Sequence, residues 1–270
     1  MVLVRRGVVA VDMDREGAGP PVVLLGRAAR RWLWSGLAAR LSDRYRVLTV
    51  DLYGRGDTPA WSAGRRQTLA DQVRLVHALT AGREERIGIV GHSFGGAIAL
   101  RAAVELDERV AALAVFDPTP FALLSAGGTD SWRAVLRERE RMRACLEAGE
   151  LEEGARGSVE FWIGPDGWAG LSPEDRANIA AGLESRLAEW DAMTDPALTL
   201  AEVATAPAPT LLALDPATLA PIREVADLLS AARPDWRRVE LAGGGHLAPV
   251  TRPDLVNPLV EAFLDEHLGR

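Results

Sequence analysis

The sequence predicts an α/β protein: a mostly parallel sheet with helices on both faces and a helical insert between two of its strands. Three observations predict it. Short apolar, β-branched runs alternate with stretches long enough to cross over a sheet, which parallel pairing requires. The alternation stops over residues 119–209, where no convincing strand occurs, and resumes at Thr210. The 270 residues are 48% hydrophobic and 26% charged, which suits one large core or a core with a lid and argues against disorder.

The elements follow in order. Val2–Arg5 and Val8–Asp12 read as two short strands hinged at Gly7, and Asp14–Pro21 as turn chemistry. Val22–Leu25 is a compact apolar strand ending at Gly26. Trp34–Leu41 reads as a helix and Arg46–Asp51 as a β-branched strand. Tyr53–Gly64 carries Gly54, Gly56, Pro59 and Gly64 and is a loop. Thr68–Thr80 is a helix with Leu69, Val73 and Val76 on one face. Arg86–Val90 is a strand that stops at Gly91, and Ala97–Leu106 an Ala- and Leu-rich helix. Val110–Phe116 is the next strand.

Within the insert, Ser131–Ala148 gathers Trp132, Val135, Leu136, Met142, Cys145 and Leu146 on one stripe of a helix. Ser172-Pro173-Glu174-Asp175 opens another, with a capping serine, a first-turn proline and early acids. After Ala206-Pro-Ala-Pro209 the strand Thr210–Leu214, the helix Ile222–Ala232, the strand Arg238–Leu241 and the helix Asp254–His267 complete the chain. The expected division is a core of residues 1–118 and 210–270 and a helical cap of residues 119–209.

Composition excludes several chemistries. All 31 basic residues are arginine, so a Schiff-base lysine, a pyridoxal-phosphate anchor and a P-loop lysine are impossible. A net charge of −7 argues against a nucleic-acid partner. The single cysteine, Cys145, rules out an intrachain disulfide and any multi-cysteine metal site. The histidines show no ligand-like spacing, and there is no Rossmann glycine fingerprint, so neither metal nor cofactor is expected. The first residues lack a secretory pattern and no apolar run is long enough for a membrane span. The expectation is a soluble, cytoplasmic protein with a small-molecule substrate and an oligomeric state the sequence does not reveal.

The sharpest chemical signal is Gly91-His-Ser-Phe-Gly95, between a strand and a helix. A nucleophilic serine needs a strained strand-to-helix turn, with flanking glycines that let neighbouring backbone approach. Ser93 is therefore the candidate nucleophile, and a serine hydroxyl needs a base. Of the four histidines, His92 adjoins the serine and has a structural role, His77 lies on a helix at the edge of its apolar face, and His267 lies in the last turn. His246 follows Leu241-Ala-Gly-Gly-Gly, a loop able to reach across the top of a sheet, and lies after the serine in sequence. It is the candidate base.

These stretches, with Val22–Gly26, Val47–Gly56, Ile89–Leu100, Val110–Pro118 and Gly243–Pro249, resemble a cap-bearing member of the α/β-hydrolase superfamily. The resemblance implies the α/β-hydrolase fold, a covalent acyl-type mechanism and a pocket between core and lid. It also marks two departures. Where relatives carry His-Gly at the end of the first core strand, this chain has Leu25-Gly26, followed by Arg27-Ala-Ala-Arg-Arg31. The N–H groups of Phe94 and Arg27 remain able to form an oxyanion hole, because the hole needs donors rather than side chains. Arg27, Arg30 and Arg31 read as a solvated basic loop, or alternatively as groups that meet an anionic substrate.

The second departure concerns the acid. The turn in which relatives place an aspartate here reads Asp215-Pro-Ala-Thr218, with Asp215 two or three residues early. Asp117 ends the preceding strand on the same edge and is the favoured acid, with Asp215 the alternative. Each has a plainer reading as a strand-end residue capping a turn. Trp132, Trp162, Trp168 and Trp190 of the insert are candidate walls of an apolar pocket, in which charged esters would be poor substrates. The expected function is a serine hydrolase acting on an ester, thioester or activated C–C bond of an apolar small molecule. A lyase, isomerase or cyclase on the same fold, or a ligand-binding protein with a weak triad, are the alternatives.

Overall fold

In the computed structural model, residues 13–27, 33–56, 58–62, 64–82 and 85–268 are described. The expected strands Val2–Arg5 and Val8–Asp12 lie outside these residues, as do Arg30 and Arg31. Seven strands form one sheet: β1 (Met13–Glu16), β2 (Pro21–Leu25), β3 (Arg46–Val50), β4 (Ile87–His92), β5 (Val110–Phe116), β6 (Thr210–Leu214) and β7 (Arg237–Glu240), in the order β1-β3-β2-β4-β5-β6-β7. β2 to β7 pair in parallel, whereas β1 runs antiparallel along β3. The turn read over Asp14–Pro21 is thus confined to residues 17–20. Residues 13–16 are drawn into the sheet by pairing with β3, a long-range contact that local composition does not carry.

The central strands are buried along their whole length, as continuous apolar runs covered on both faces must be. Helices α2 (Leu69–Thr80), α3 (Phe94–Leu106) and α9 (Ala220–Ala232) bury apolar residues in the same cluster as Val23, Leu25, Ile89 and Leu113. α1 (Ser35–Leu41) and α11 (Pro253–Leu268) do so with Val22, Leu24, Val90 and Ala114 of the opposite face. α2 starts where Thr68 and Asp71 cap each other reciprocally, satisfying amides that a helix start leaves free.

Between β5 and β6 the chain makes a short 3₁₀ helix (Phe121–Gly127), five α-helices and no strand: α4 (Asp130–Ala148), α5 (Leu151–Ile163), α6 (Pro173–Ala181), α7 (Leu183–Met193) and α8 (Leu200–Thr205). Thr129, Ser172 and Thr199 cap α4, α6 and α8 through their side-chain oxygens. Gly149 ends α4 in the left-handed conformation. Among the described residues no helix is long and apolar enough to cross a membrane.

Two glycines let the serine turn seat against the sheet. A Cβ on Gly95 would stand 2.3 Å from the carbonyl oxygen of Leu25, and one on Gly91 2.4 Å from that of Gly95. Both obstructions are backbone, which rotamer changes cannot relieve. Gly95→Ala is therefore expected to reduce unfolding free energy by about 1–3 kcal/mol, the usual range for overpacking, read as a lower urea midpoint. An unchanged midpoint would show that the turn is free to move away from β2.

Candidate active site

β4, β5 and β6 are neighbours, so the residues following their ends share one edge of the sheet. Ser93 follows β4 and Asp117 follows β5, while Asp215 follows β6. Backbone bonds tie the three together. The Ser93 N–H donates to the carbonyl of Phe116 at 2.9 Å, and the Asp117 N–H to that of Ala213 at 2.9 Å.

Ser93 has φ 55° and ψ −119°, and Asp117 has φ 44°. A non-glycine residue with positive φ is uncommon and is held there only when its surroundings determine it. At Ser93 the strain turns the chain from strand to helix within one residue. The hydroxyl lines a cavity of about 280 Å³ together with His92, Phe94, Trp162 and His246.

The imidazole of His246 lies between serine and aspartate. Its Nε2 is 3.0 Å from the Ser93 hydroxyl, and its Nδ1 is 2.9 Å from Oδ2 of Asp117. Asp117 is buried and accepts two further bonds, from the Asp215 N–H at 3.2 Å and the Thr218 hydroxyl at 2.8 Å. The sequence reading missed Thr218 in this part, since a hydroxyl in a turn reads first as turn chemistry.

Asp215 does not meet the imidazole. Its carboxylate accepts the Gly245 N–H at 2.6 Å and the Ala217 N–H at 2.6 Å. Burial acts against its charge, but the N–H groups of Gly245, Ala217, Gly244 and Gly243 outweigh that and hold its carboxyl below the usual aspartate range. Asp215 thus anchors the glycine loop that carries His246, while Asp117 takes the position at Nδ1. The early place of Asp215 in its turn fits this arrangement, because the loop comes to it.

His92 anchors the same loop from below. Burial, reinforced by the adjacent His246 ring, pushes the His92 imidazole down to about 3. It is therefore neutral and donates Nε2–H to the carbonyl of His246 at 2.6 Å. From above, the indole of Trp162 stacks on the His246 ring, with centroids 5.1 Å apart and 16° between planes.

Of the four tryptophans expected around the pocket, Trp162 and Trp190 line the cavity. Trp132 and Trp168 do not. Trp132 packs partly buried against the main core, and Trp168 joins Ala155 and Val159 in a separate cluster of the insert, under the Arg176 guanidinium. A stripe of apolar residues on an insert helix does not reveal which helix it packs against. Val159, Ile163, Leu171, Ile179 and Met193 add to the apolar part of the wall, with Leu33 and Leu247. Phe94 and Arg27, the expected oxyanion donors, both line the cavity beside Ser93.

A parallel sheet that holds a serine on a strained strand-to-helix turn beneath a histidine defines a class of α/β protein with a hydroxyl–imidazole–carboxylate site. A family model described as the Alpha/beta hydrolase family matches residues 18–259, and the chain belongs to that family. A pimeloyl-acyl-carrier-protein methyl ester esterase of Nitrosomonas europaea is 31% identical over 112 residues, which cover 41% of this chain and 42% of that esterase. A provisionally named carbamate hydrolase of Klebsiella pneumoniae strain 342 is 29% identical over 256 residues, 90% of each chain. Among solved structures, an alpha/beta hydrolase from Sphaerobacter thermophilus DSM 20745 superposes with a TM-score of 0.67 at 25% identity, over 95% of this chain and 96% of that one.

The buried His92 has a consequence for stability. Its folded pKa lies below the ordinary 6.5, so between pH 6.5 and about 3 the unfolded chain binds a proton that the folded chain does not. Stability contributed by neutral His92 is full above that window and is lost as pH falls through it. His92→Gln, which retains an N–H donor, is expected to flatten the fall in urea midpoint over this range. Equal pH slopes for the two proteins would show that His92 protonates readily in place.

Proposed function

We propose that the protein is a serine hydrolase that cleaves an ester, thioester or activated C–C bond of a small molecule through Ser93, His246 and Asp117. The observation that carries the reading is the continuous hydrogen-bonded chain from Ser93 through His246 to Asp117 on the cavity wall. Similarity to hydrolases, an esterase among them, supports the same reaction class.

In this mechanism His246 Nε2 removes the Ser93 proton as the hydroxyl oxygen bonds to the substrate carbonyl carbon. Asp117 holds Nδ1–H and stabilises the imidazolium that forms. The carbonyl oxygen gains negative charge and is met by the N–H groups of Phe94 and Arg27. Collapse of the tetrahedral intermediate breaks the bond to the leaving group, which takes the proton from Nε2. Water then repeats the sequence on the acyl-serine, releasing the acid and restoring the hydroxyl. Residues 119–209 act as a lid on the core formed by residues 1–118 and 210–270. Trp162 and Trp190 belong to the lid's side of the substrate pocket.

Ser93→Ala is expected to lower kcat by a factor on the order of 10⁴–10⁶ and to abolish labelling by a fluorophosphonate. Turnover within about tenfold of the parent would remove Ser93 from the nucleophile's role. Unlabelled but folded parent protein would favour a binding function instead.

Asp117→Asn and Asp215→Asn separate the two acids. The first is expected to cost about 10³–10⁴ in kcat, the weight of a triad acid in serine proteases. The second keeps an acceptor for the Gly245 N–H and is expected to cost less than about tenfold, the equivalent of about one hydrogen bond. The opposite ranking in steady-state kinetics would transfer the role to Asp215.

A further inference from the structure

One wall of the cavity is charged. Glu189 of α7 is 3% exposed and lies among three arginines drawn from separate parts of the chain. Arg27, just after β2, places Nε 3.0 Å from one carboxylate oxygen. Arg55, in the loop after β3, places Nε 2.8 Å and an Nη 2.6 Å from the other. Arg186 stands three residues before Glu189 on α7, so the two side chains share a helix face. Burial disfavours the Glu189 charge, but the three guanidinium groups outweigh it and hold the carboxyl below its usual range.

The set does not balance. Three cations surround one anion; two of them, Arg27 and Arg186, line the cavity, where Glu189 is the single carboxylate among the described residues. Its two oxygens pair with Arg27 and Arg55, and burial together with the neighbouring Arg55 still pushes the Arg27 pKa down against the pull of Glu189. Arg186 is 7% exposed, and its Nε is buried without a hydrogen-bond partner. No ion pair or hydrogen bond to its guanidinium occurs among the described residues, yet it lines the same cavity as Ser93 and His246. Burial lowers its pKa to about 10, the repulsion of Arg55 adding to this against the pull of Glu189, and that still leaves it charged at neutral pH.

A buried guanidinium without a partner forfeits hydration and receives no hydrogen bond in return, a loss that a ligand supplying the acceptor would offset. We infer that Arg186, backed by Arg27 and Arg55, is a subsite for a carboxylate carried by the substrate at the end remote from the scissile bond. A carboxylate is the group that one open guanidinium face pairs with through two parallel N–H···O bonds. The inference rests on the reading of this cavity as the hydrolase site and names its substrate class: a small acid-bearing ester whose apolar middle lies along Trp162, Ile163 and Trp190. It reverses the expectation, drawn from the tryptophans alone, that charged esters are excluded.

The test is a binding measurement on Ser93→Ala protein, in which turnover plays no part. Monomethyl glutarate and dimethyl glutarate share an ester, and only the first has a free carboxylate. Isothermal titration is expected to show the monoanion binding at least about tenfold more tightly, the effect of one charged hydrogen-bonded pair. Adding Arg186→Met is expected to abolish the preference, whereas Arg186→Lys retains part of it, and circular dichroism checks that each variant is folded. Equal affinities, absent binding of the monoanion, or a preference that survives Arg186→Met in folded protein each overturn the inference. The readout does not depend on the serine. Loss of the fluorophosphonate reaction in the parent would count against hydrolysis and leave this result to stand or fall by itself.

Discussion

At Ser93 the backbone leaves β4 with φ 55° and ψ −119° and enters α3 in a single step. Such a conformation costs a non-glycine residue on the order of 1–3 kcal/mol and persists only where the surroundings over-determine it. Here they do so by backbone contact. Gly91 and Gly95 face each other without room for a side chain, and Gly95 also meets the Leu25 carbonyl at the end of β2. The buried sheet and α3 supply the stability that holds the strained residue. The result is a hydroxyl fixed at the floor of a cavity whose other reactive groups come from distant parts of the sequence.

The histidine is held by different means. His246 sits on a glycine-rich loop with little packing of its own, and three contacts restrict it. Asp215 gathers the loop's amides, neutral His92 binds the His246 carbonyl, and Trp162 covers the ring. Asp117 is then left to a single task at Nδ1, steadied by Thr218 and by the Asp215 N–H. Dividing the anchoring of the loop and the contact at Nδ1 between two aspartates requires adjacent strand ends. The order β4-β5-β6 provides them.

Much of this was legible in the chain. Gly91 to Gly95 marked the serine turn, the run after Leu241 marked the histidine loop, and Asp117 was favoured because a strand end beside the serine's strand needs no unusual turn to reach His246. The structure places all three side chains in one hydrogen-bonded series. What stayed hidden depended on pairing across long distances. The strand at Met13–Glu16 exists because β3 lies beside it. Trp132 and Trp162 look alike in sequence and both pack against the main core, and only the packing of the insert brings Trp162 over His246 as well. Nothing in the sequence marks Arg186 and Glu189, three apart on a helix, as buried. Glu189 is held inside by Arg27 and Arg55, more than a hundred residues away.

That buried charge is hard to explain as a device for stability. An ion pair taken out of water often does no better than apolar side chains of the same size, and an excess of like charge does worse. Besides Arg186, Glu189 and Asp191, which pairs with Arg143, α7 buries Leu183, Leu187, Trp190, Ala192 and Met193, so an apolar residue at position 186 would suit most of its surroundings. The chain as a whole carries a net charge of −7, which does not attract anions from a distance. Beyond a Debye length of about 8 Å in physiological salt that overall charge is largely screened. Within the cavity the low dielectric strengthens the local field instead, and the excess of arginine there acts on whatever has already entered. The arrangement therefore favours selection at the site over capture from solution. On the proposed reading, the charged wall would orient a small acid after its apolar part has been taken up, and so set which carbonyl lies over Ser93.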